Sequence, residues 1–238
     1  MTILAIESSA KAASCAVIRD GAPVAMAFQA TALTHSRTLM PMVEDMLRNS
    51  ELSLRDMDAI AVAAGPGSFT GLRIGVAAVK GLAWAADLPC AAVSTLEAMA
   101  APLTHIQGPI LCAMDARRQQ IYNAIFSGGD GILTRLAPDR AIALTELERE
   151  LEAETTYTIV GDGAELCFRY LADRGFACRL APAHLRLQSA VGVGLVGEAM
   201  VLRGETVTAQ ELLPVYLRLS QAERERLERL QRQTQDPA

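Results

Sequence analysis

Three short apolar runs open the chain, and a helical repeat of apolar positions follows them. The runs at 2–7, 14–19 and 23–29 have the length and composition of β-strands, and an Asp-Gly-Ala turn joins the second to the third. Residues 35–49 then carry large apolar side chains at the i, i+4, i+7 and i+8 positions of one helical face. The pattern therefore predicts a three-strand meander and an amphipathic helix.

The same order of elements returns later in the chain. The first occurrence continues with a strand, a Gly-rich turn and a long helix, and the second begins after Pro102. The other elements predicted for the first half are strand 58–64, helix 70–86, strand 90–93 and helix 95–101. Those predicted for the second half are strands 110–115, 120–126, 131–136 and 157–160, and helices 145–152, 164–173 and 189–203.

Two β-β-β-α-β-α halves in tandem predict an α/β protein with a duplicated fold. The best-known example is the actin-like ATPase architecture, also called the ASKHA or RNase H-like fold. The second half is interpreted as a degraded copy of the first. The predicted units are 1–104, 105–219 and a tail, 220–238, whose charged, helix-forming composition is typical of a solvated helix.

Composition and charge exclude several classes of protein. Lys and Arg number 22 against 27 Asp and Glu, which gives a net charge of −5, and only 4% of the residues are aromatic. Because nucleic-acid binding needs a basic surface, we expect RNA contact to be local or supplied by a partner. Five widely spaced cysteines without a C-x-x-C pair predict a reducing, cytoplasmic location. The start, MTILAIESS, is typical of a strand rather than a signal peptide, and no apolar run reaches the length of a membrane span.

The segment 65–75, GPGSFTGLRIG, is the strongest local motif. It matches neither the Walker loop nor the G-x-G-x-x-G pattern, because Thr70 occupies the position of the third glycine. Free N–H groups at the start of the following helix would form an anion site, with Ser68 or Thr70 as the cap. The chemistry alone favours the simpler interpretation, a strand-to-helix turn in which small residues allow close packing.

Helix 70–86 carries only two charges, Arg73 and Lys80, which lie seven residues apart on one face. A helix that is apolar or small over the rest of its circumference must be covered on two sides. The sheet covers one side. Helix 35–49 or a partner covers the other, and methionines outside the apolar stripe of that helix favour a partner. The residues predicted to form this protein-protein surface are Leu39, Met42, Met46, Leu72, Arg73, Val76 and Lys80.

Catalytic groups are scarce in the sequence. The three histidines lie far apart without ligand spacing, and no G-x-S-x-G motif is present, so we predict no catalytic residue and no metal ligand. Glu7 and Asp115 end the first strands of the two halves, positions at which actin-like ATPases hold acidic residues for magnesium and phosphate. Together with Gly161 and Gly163, they are predicted to mark a vestigial nucleotide cleft.

Seven ordered segments, spanning residues 1 to about 218, resemble the TsaB (YeaZ) family. They are TILAIESS, HSRTLMPMVEDML, AVAAGPGSFTGLRIG, AVSTLEAMA, MDARRQQIY, VGDGA and PVYLR. The resemblance implies an actin-like fold of two subdomains. It also implies a role as the dimerisation subunit of the bacterial machinery that makes threonylcarbamoyladenosine beside the tRNA anticodon. The implied partners are the catalytic paralogue TsaD, joined through a four-helix junction, and the ATPase TsaE, with tRNA bound only through the complex.

The same resemblance implies that this chain is not an enzyme. The catalytic paralogue has a metal-binding His-Met-Glu-Gly-His segment, and the corresponding stretch here is Thr-Leu-Glu-Ala-Met at 95–99. Thr95 and Met99 replace the two histidines, and a hydroxyl and a thioether do not substitute for two imidazoles as ligands. No cofactor is therefore expected on this chain, and ATP and metal are expected on the partner subunits. A homodimer through the same helices is the expected alternative assembly.

Two other functions stay open on the sequence. A stand-alone actin-like ATPase or small-molecule kinase would turn over ATP as the pure chain. A peptidase would cleave members of a panel of unfolded substrates. A scaffold subunit would do neither, so both assays separate it from the alternatives.

Overall fold

Two five-stranded mixed sheets form the frame of the computed structural model, which describes residues 1–31 and 33–218. The first sheet contains β1 Thr2–Glu7, β2 Ala13–Arg19, β3 Ala22–Gln29, β4 Ala59–Gly65 and β5 Cys90–Ser94, in the order β3-β2-β1-β4-β5. The second contains β6 Gly108–Asp115, β7 Gln120–Gly129, β8 Ile132–Ala143, β9 Tyr157–Val160 and β10 Cys178–Leu180, in the order β10-β9-β6-β7-β8. Each strand of one sheet has its counterpart in the other, which confirms the duplicated α/β fold.

Six α-helices in the described residues flank the sheets. They are α1 His35–Asn49, α2 Phe69–Ala86, α3 Thr95–Ala100, α4 Leu144–Leu147, α5 Ala164–Ala172 and α6 Ala190–Leu202. We call the unit built on the first sheet lobe one and the unit built on the second sheet lobe two. Helices α1 and α2 cover one face of the first sheet, where their apolar side chains form a single buried cluster with those of β1, β2 and β4. Within the described ranges, no helix combines the length and apolar character needed to cross a membrane.

Helix α6 packs on the first sheet although it follows the strands of the second. It lies against β1, β2 and β4, where a Cβ on Gly194 would come within 2.2 Å of Ile18 and one on Gly197 within 2.4 Å of Ala61. These glycines let an apolar helix approach the sheet closely. Helix α6 therefore packs with lobe one, although it lies within the predicted unit 105–219. The predicted tail, 220–238, lies outside the described residues.

Lobe two departs from the predicted elements in three places. Strand β8 has twelve residues and runs past the predicted end at 136, because an edge strand tolerates Pro138. The predicted helix 145–152 is instead the single turn α4, followed by a 3₁₀ turn at Glu148–Glu150. Strand β10 was not predicted, and its three residues are too short to show a periodic pattern.

Candidate functional site

The Gly-rich segment before α2 packs against the turn that follows β1. Ser68 caps α2 by accepting the N–H of Gly71 at 3.3 Å, and its own N–H donates to the Ser9 carbonyl at 2.6 Å. A Cβ on Gly71 would lie 2.1 Å from the Ser8 carbonyl oxygen, and one on Gly75 would lie 2.4 Å from Ser8 Oγ. The N–H groups of Ser68 and Gly71 therefore already have hydrogen-bond partners within the chain, which leaves fewer N–H groups for an anion. The geometry supports the close-packing interpretation of the motif.

Four of the seven residues predicted to form the docking surface are buried within lobe one. Leu39, Met46, Leu72 and Val76 are between 0% and 6% exposed. Leu39, Met46 and Val76 belong to the cluster between α1, α2 and the sheet, and Met42 is half-buried. A partner cannot contact the four buried side chains where they lie, so their assignment to a docking surface is corrected. The apolar stripes of α1 and α2 face each other and the sheet instead.

Residues 206–218, which we call the strap, cover a further side of α2. Leu212 of the strap is fully buried in the cluster beneath α1 and α2. The Lys80 ammonium on α2 donates to the carbonyls of Gln210 and Leu212 at 2.9 and 3.1 Å. Part of the cover of α2 that the sequence attributes to α1 or a partner is thus supplied by the strap.

Arg73, the other charged residue of α2, holds the far end of the strap. Its Nε donates to the Tyr216 hydroxyl at 3.0 Å, and its guanidinium lies 3.8 Å from the centre of the Phe69 ring. The Phe69 and Tyr216 rings stack with their centres 4.6 Å apart. Arg73 and Lys80, which the sequence predicts on the protein-protein surface, therefore anchor the strap.

The exposed face of α2 consists of small residues beside one large aromatic. Ala77, Gly81 and Ala85 are exposed at i, i+4 and i+8, and a Cβ on Gly81 would meet no atom within 4 Å. Trp84 is 75% exposed on the same helix. An apolar groove of about 570 Å³ separates Ala77 from the strap. This face is absent from the predicted docking residues, although the four-residue spacing of its small residues is a signal that the sequence carries.

A cleft of about 420 Å³ lies between the lobes, next to the start of α2. Of the four residues predicted to mark a nucleotide cleft, Asp115 lines it. Gly161 and Gly163 pack against β6 instead, and a Cβ on Gly161 would lie 2.2 Å from the Ala113 carbonyl oxygen. Glu7 lies in the interior, away from the lining. The charged residues that line the cleft are Lys11, Asp115, Arg117, Asp162 and Arg218, of which only Asp115 was predicted.

Glu7 is a buried carboxyl group with one satisfied oxygen. Its Oε1 accepts the N–H of Ser9 at 2.5 Å, and its Oε2 has no hydrogen-bond partner among the described residues. Burial raises the pKa of Glu7 to about 7, and the nearby Asp162 carboxyl adds to the rise. Burial also raises the pKa of Asp162, which accepts a hydrogen bond from Gln188 Nε2 at 3.0 Å. Burial therefore shifts the pKa of both carboxyl groups in the same direction, upward.

Comparisons with known proteins agree on one family. A family model described as "TsaD: tRNA N6-adenosine threonylcarbamoyltransferase" matches residues 29–224. The tRNA threonylcarbamoyladenosine biosynthesis protein TsaB of Bacillus subtilis (strain 168) is 35% identical over 228 residues, which are 94% of this chain and 96% of that protein. The chain belongs to the TsaB (YeaZ) family. The TsaB of Escherichia coli (strain K12) is 33% identical over 92% of this chain and 95% of its own.

A solved structure supports the same family and fold. YeaZ from Pseudomonas aeruginosa is 28% identical and superposes with a TM-score of 0.76, over 91% of this chain and 99% of that one. The predictions of the TsaB family and of a duplicated actin-like fold are confirmed.

Thr95 and Met99 of this TsaB-family chain lie in its interior. They are 0% and 3% exposed, and Met99 packs with Leu96 and Leu103 in the apolar cluster between α3 and the second sheet. Across residues 1–31 and 33–218, no three Asp, Glu, His or Cys side chains converge as a metal site would require. Burial raises the pKa of the Cys15 thiol to about 12, so this cysteine is poorly suited to act as a nucleophile.

Proposed function

We propose that this chain is a non-catalytic dimerisation subunit in the biosynthesis of threonylcarbamoyladenosine in tRNA, and that it docks on a TsaD-like paralogue through the exposed face of α2. The TsaB names of relatives in two bacteria support the biosynthetic role. The observation that carries the docking role is the uncovered row of Ala77, Gly81 and Ala85 beside Trp84.

Small residues at four-residue spacing allow two helices to pack at short distance, because no side chain keeps their backbones apart. On α2 this row stays open although α1 and the strap cover other sides of the same helix. An exposed Trp84 beside the row adds a large apolar side chain of the type that dominates binding energy at protein interfaces. This combination is suited to a helix of another protein.

The residues aligned with the metal-binding segment of TsaD support a non-catalytic role. Thr95 and Met99 offer no imidazole, and Met99 takes part in core packing. Under this proposal ATP and metal are bound by the partner subunits, a TsaE-like ATPase joins the complex, and tRNA is contacted through the complex. A homodimer through the same face of α2 forms when the paralogue is absent.

The docking proposal is tested with Ala77→Glu and a matched control, Leu166→Glu, on the equivalent helix α5 of lobe two. Both positions are exposed, so both variants should fold with thermal midpoints close to that of the wild type. A glutamate side chain in this row would keep the two helix backbones apart, so we expect Ala77→Glu to raise the Kd for the TsaD paralogue at least tenfold. The control should bind like the wild type. Wild-type binding by Ala77→Glu in calorimetry and gel filtration would show that α2 is not the docking face.

The non-catalytic role is tested separately on the pure chain. We expect no hydrolysis of ATP and no cleavage of unfolded peptides above a heat-treated control, while addition of the chain to its partner subunits restores tRNA modification. ATP turnover that persists through further purification would contradict the proposal.

A further inference from the structure

We propose that the strap couples the docking face of α2 to the interlobe cleft, so that a partner bound on α2 alters how the two lobes close on each other. This inference rests on the proposed docking role of α2. The strap borders the open groove on lobe one and also contacts the backbone of lobe two.

The strap is fixed to lobe one along its length. Val207 and Cys90 exchange two backbone hydrogen bonds of 2.9 Å, which attach the start of the strap to the edge strand β5. Near the other end, the Val215 N–H donates to the Ala64 carbonyl at 2.7 Å. A Cβ on Gly65 would lie 2.1 Å from the Val215 carbonyl oxygen, so the strap lies directly on the strand backbone. Such close contacts transmit a displacement instead of absorbing it.

The middle of the strap borders the groove in which we place the partner. Leu213 and Val215 are 66% and 53% exposed, and Leu213 forms the wall of the groove opposite Ala77. A helix packed on the small-residue face of α2 would therefore also press on the strap. The partner would contact a segment that is bonded to lobe one through Val207 and Val215 and to lobe two through Arg218.

The end of the strap lies at the mouth of the cleft. Tyr216, Leu217 and Arg218 line the cleft, and the Arg218 guanidinium donates to the Ala116 carbonyl of lobe two. Ala116 begins the turn between β6 and β7, in which three successive residues, 117–119, have left-handed φ values of 66°, 55° and 56°. Side-chain-bearing residues keep this conformation only where neighbouring contacts impose it. The Arg218 contact is one such constraint, so moving the strap would act on this turn.

The coupling is tested on the full chain by measuring the distance between the lobes. Spin labels are placed at Val24→Cys on β3 and Thr145→Cys on α4, both exposed, in a Cys178→Ala background because the other four native cysteines are buried. Arg218→Gln removes the contact with lobe two without touching α2. Leu213→Ser is the matched control, since it alters the groove and leaves the cleft contact in place.

We expect Arg218→Gln to broaden the interlobe distance distribution of the free chain and to raise the Kd for the TsaD paralogue about fivefold or more, with Arg218→Lys restoring both. Leu213→Ser should weaken docking and leave the free-chain distribution unchanged. An unchanged distribution or an unchanged Kd for Arg218→Gln overturns the coupling. The Ala77→Glu variant is measured in parallel. If it too binds normally, the failure belongs to the docking assignment, and the free-chain distances still decide whether the strap holds the lobes.

Discussion

Helices α2 and α5 occupy the same place in the two lobes, yet their surfaces differ. Each follows a parallel strand beside the first strand of its sheet, β4 or β9, after a glycine-containing turn. Helix α2 has 18 residues and is packed by α1 and the strap, whereas α5 has nine. The outer side of α5 carries an ion pair between Glu165 and Arg169, while that of α2 carries Ala77 and Gly81.

The difference shows that duplication fixes where a helix lies and leaves its surface free to change. The same holds for the acidic residues that end β1 and β6. Glu7 is buried with an unpartnered oxygen, whereas Asp115 is partly exposed and bonds the N–H of Arg117 at 2.8 Å. Lobe one therefore leaves the small-residue row of α2 open to solvent. Lobe two keeps an ordinary solvated helix at the equivalent position.

The buried and the open side of α2 should differ most in the stability that a glutamate costs there, and we expect the largest loss for Val76→Glu. Val76 is 4% exposed and packs within the cluster under α1, so the variant places a charge in an apolar interior. Because such a charge has no partner there, we expect the free energy of unfolding to fall by about 3–5 kcal/mol. Urea denaturation followed by circular dichroism measures the loss. The adjacent Ala77→Glu should cost less than about 1 kcal/mol, and equal losses at the two positions would contradict the division of α2 into a buried and an open side.

The contrast between Glu7 and Asp115 predicts a pH-dependent effect. The pKa of Glu7 is about 7 in the folded chain against an ordinary value of 4.5, so the folded state holds this proton more tightly than the unfolded state. The contribution of Glu7 to wild-type stability should therefore fall as the pH rises from about 4.5 to 7 and then level off. The Glu7→Gln variant has no ionisable group at this position, so this loss of stability should be absent from it.

We expect the free energy of unfolding of Glu7→Gln to exceed that of the wild type by about 3 kcal/mol above pH 7 and to equal it below pH 4.5. Denaturant unfolding at pH 4.5, 6 and 8 gives the profile. The control, Asp115→Asn, lies in a part-exposed site and should change stability by less than about 1 kcal/mol. A Glu7→Gln advantage that does not vary with pH would show that ionisation of Glu7 is not its cause.

The sequence predicted α2 within one residue of its observed start, because its apolar residues are continuous and Ser68 is a favourable cap. It also indicated that α2 needs two covers. It could not show that the strap supplies part of the cover, because the stacking of Tyr216 on Phe69 depends on how the finished fold brings distant segments together. For the same reason the sequence predicts Val76 on the docking surface, whereas the structure buries Val76 and exposes its neighbour Ala77.

The glycines of α2 give a third comparison, between its start and its open face. A Cβ on Gly71 would meet the Ser8 carbonyl oxygen at 2.1 Å, whereas one on Gly81 would meet nothing within 4 Å. We expect Gly71→Ala to lower the free energy of unfolding by about 1–3 kcal/mol through overpacking. Gly81→Ala should raise it by up to about 1 kcal/mol, because alanine is the better helix former. Chemical denaturation of both variants tests the pair, and a loss at Gly81 would mean that this face is covered in the free chain.

The smallest effect is expected on α5, where Arg169→Ala removes the ion pair with Glu165. The two charged atoms lie 3.7 Å apart, and the side chains are 78% and 60% exposed, so water and salt screen the attraction. Glu165 also keeps a second partner, Arg186, at 3.3 Å. We therefore expect a loss of about 0.3–0.5 kcal/mol in thermal or urea unfolding, and none at high salt. The Kd for the paralogue should not change, because α5 is the solvated counterpart of α2. A clear weakening of docking by Arg169→Ala would mean that both lobes contribute to the interface and that the contrast between the two helices does not determine where the partner binds.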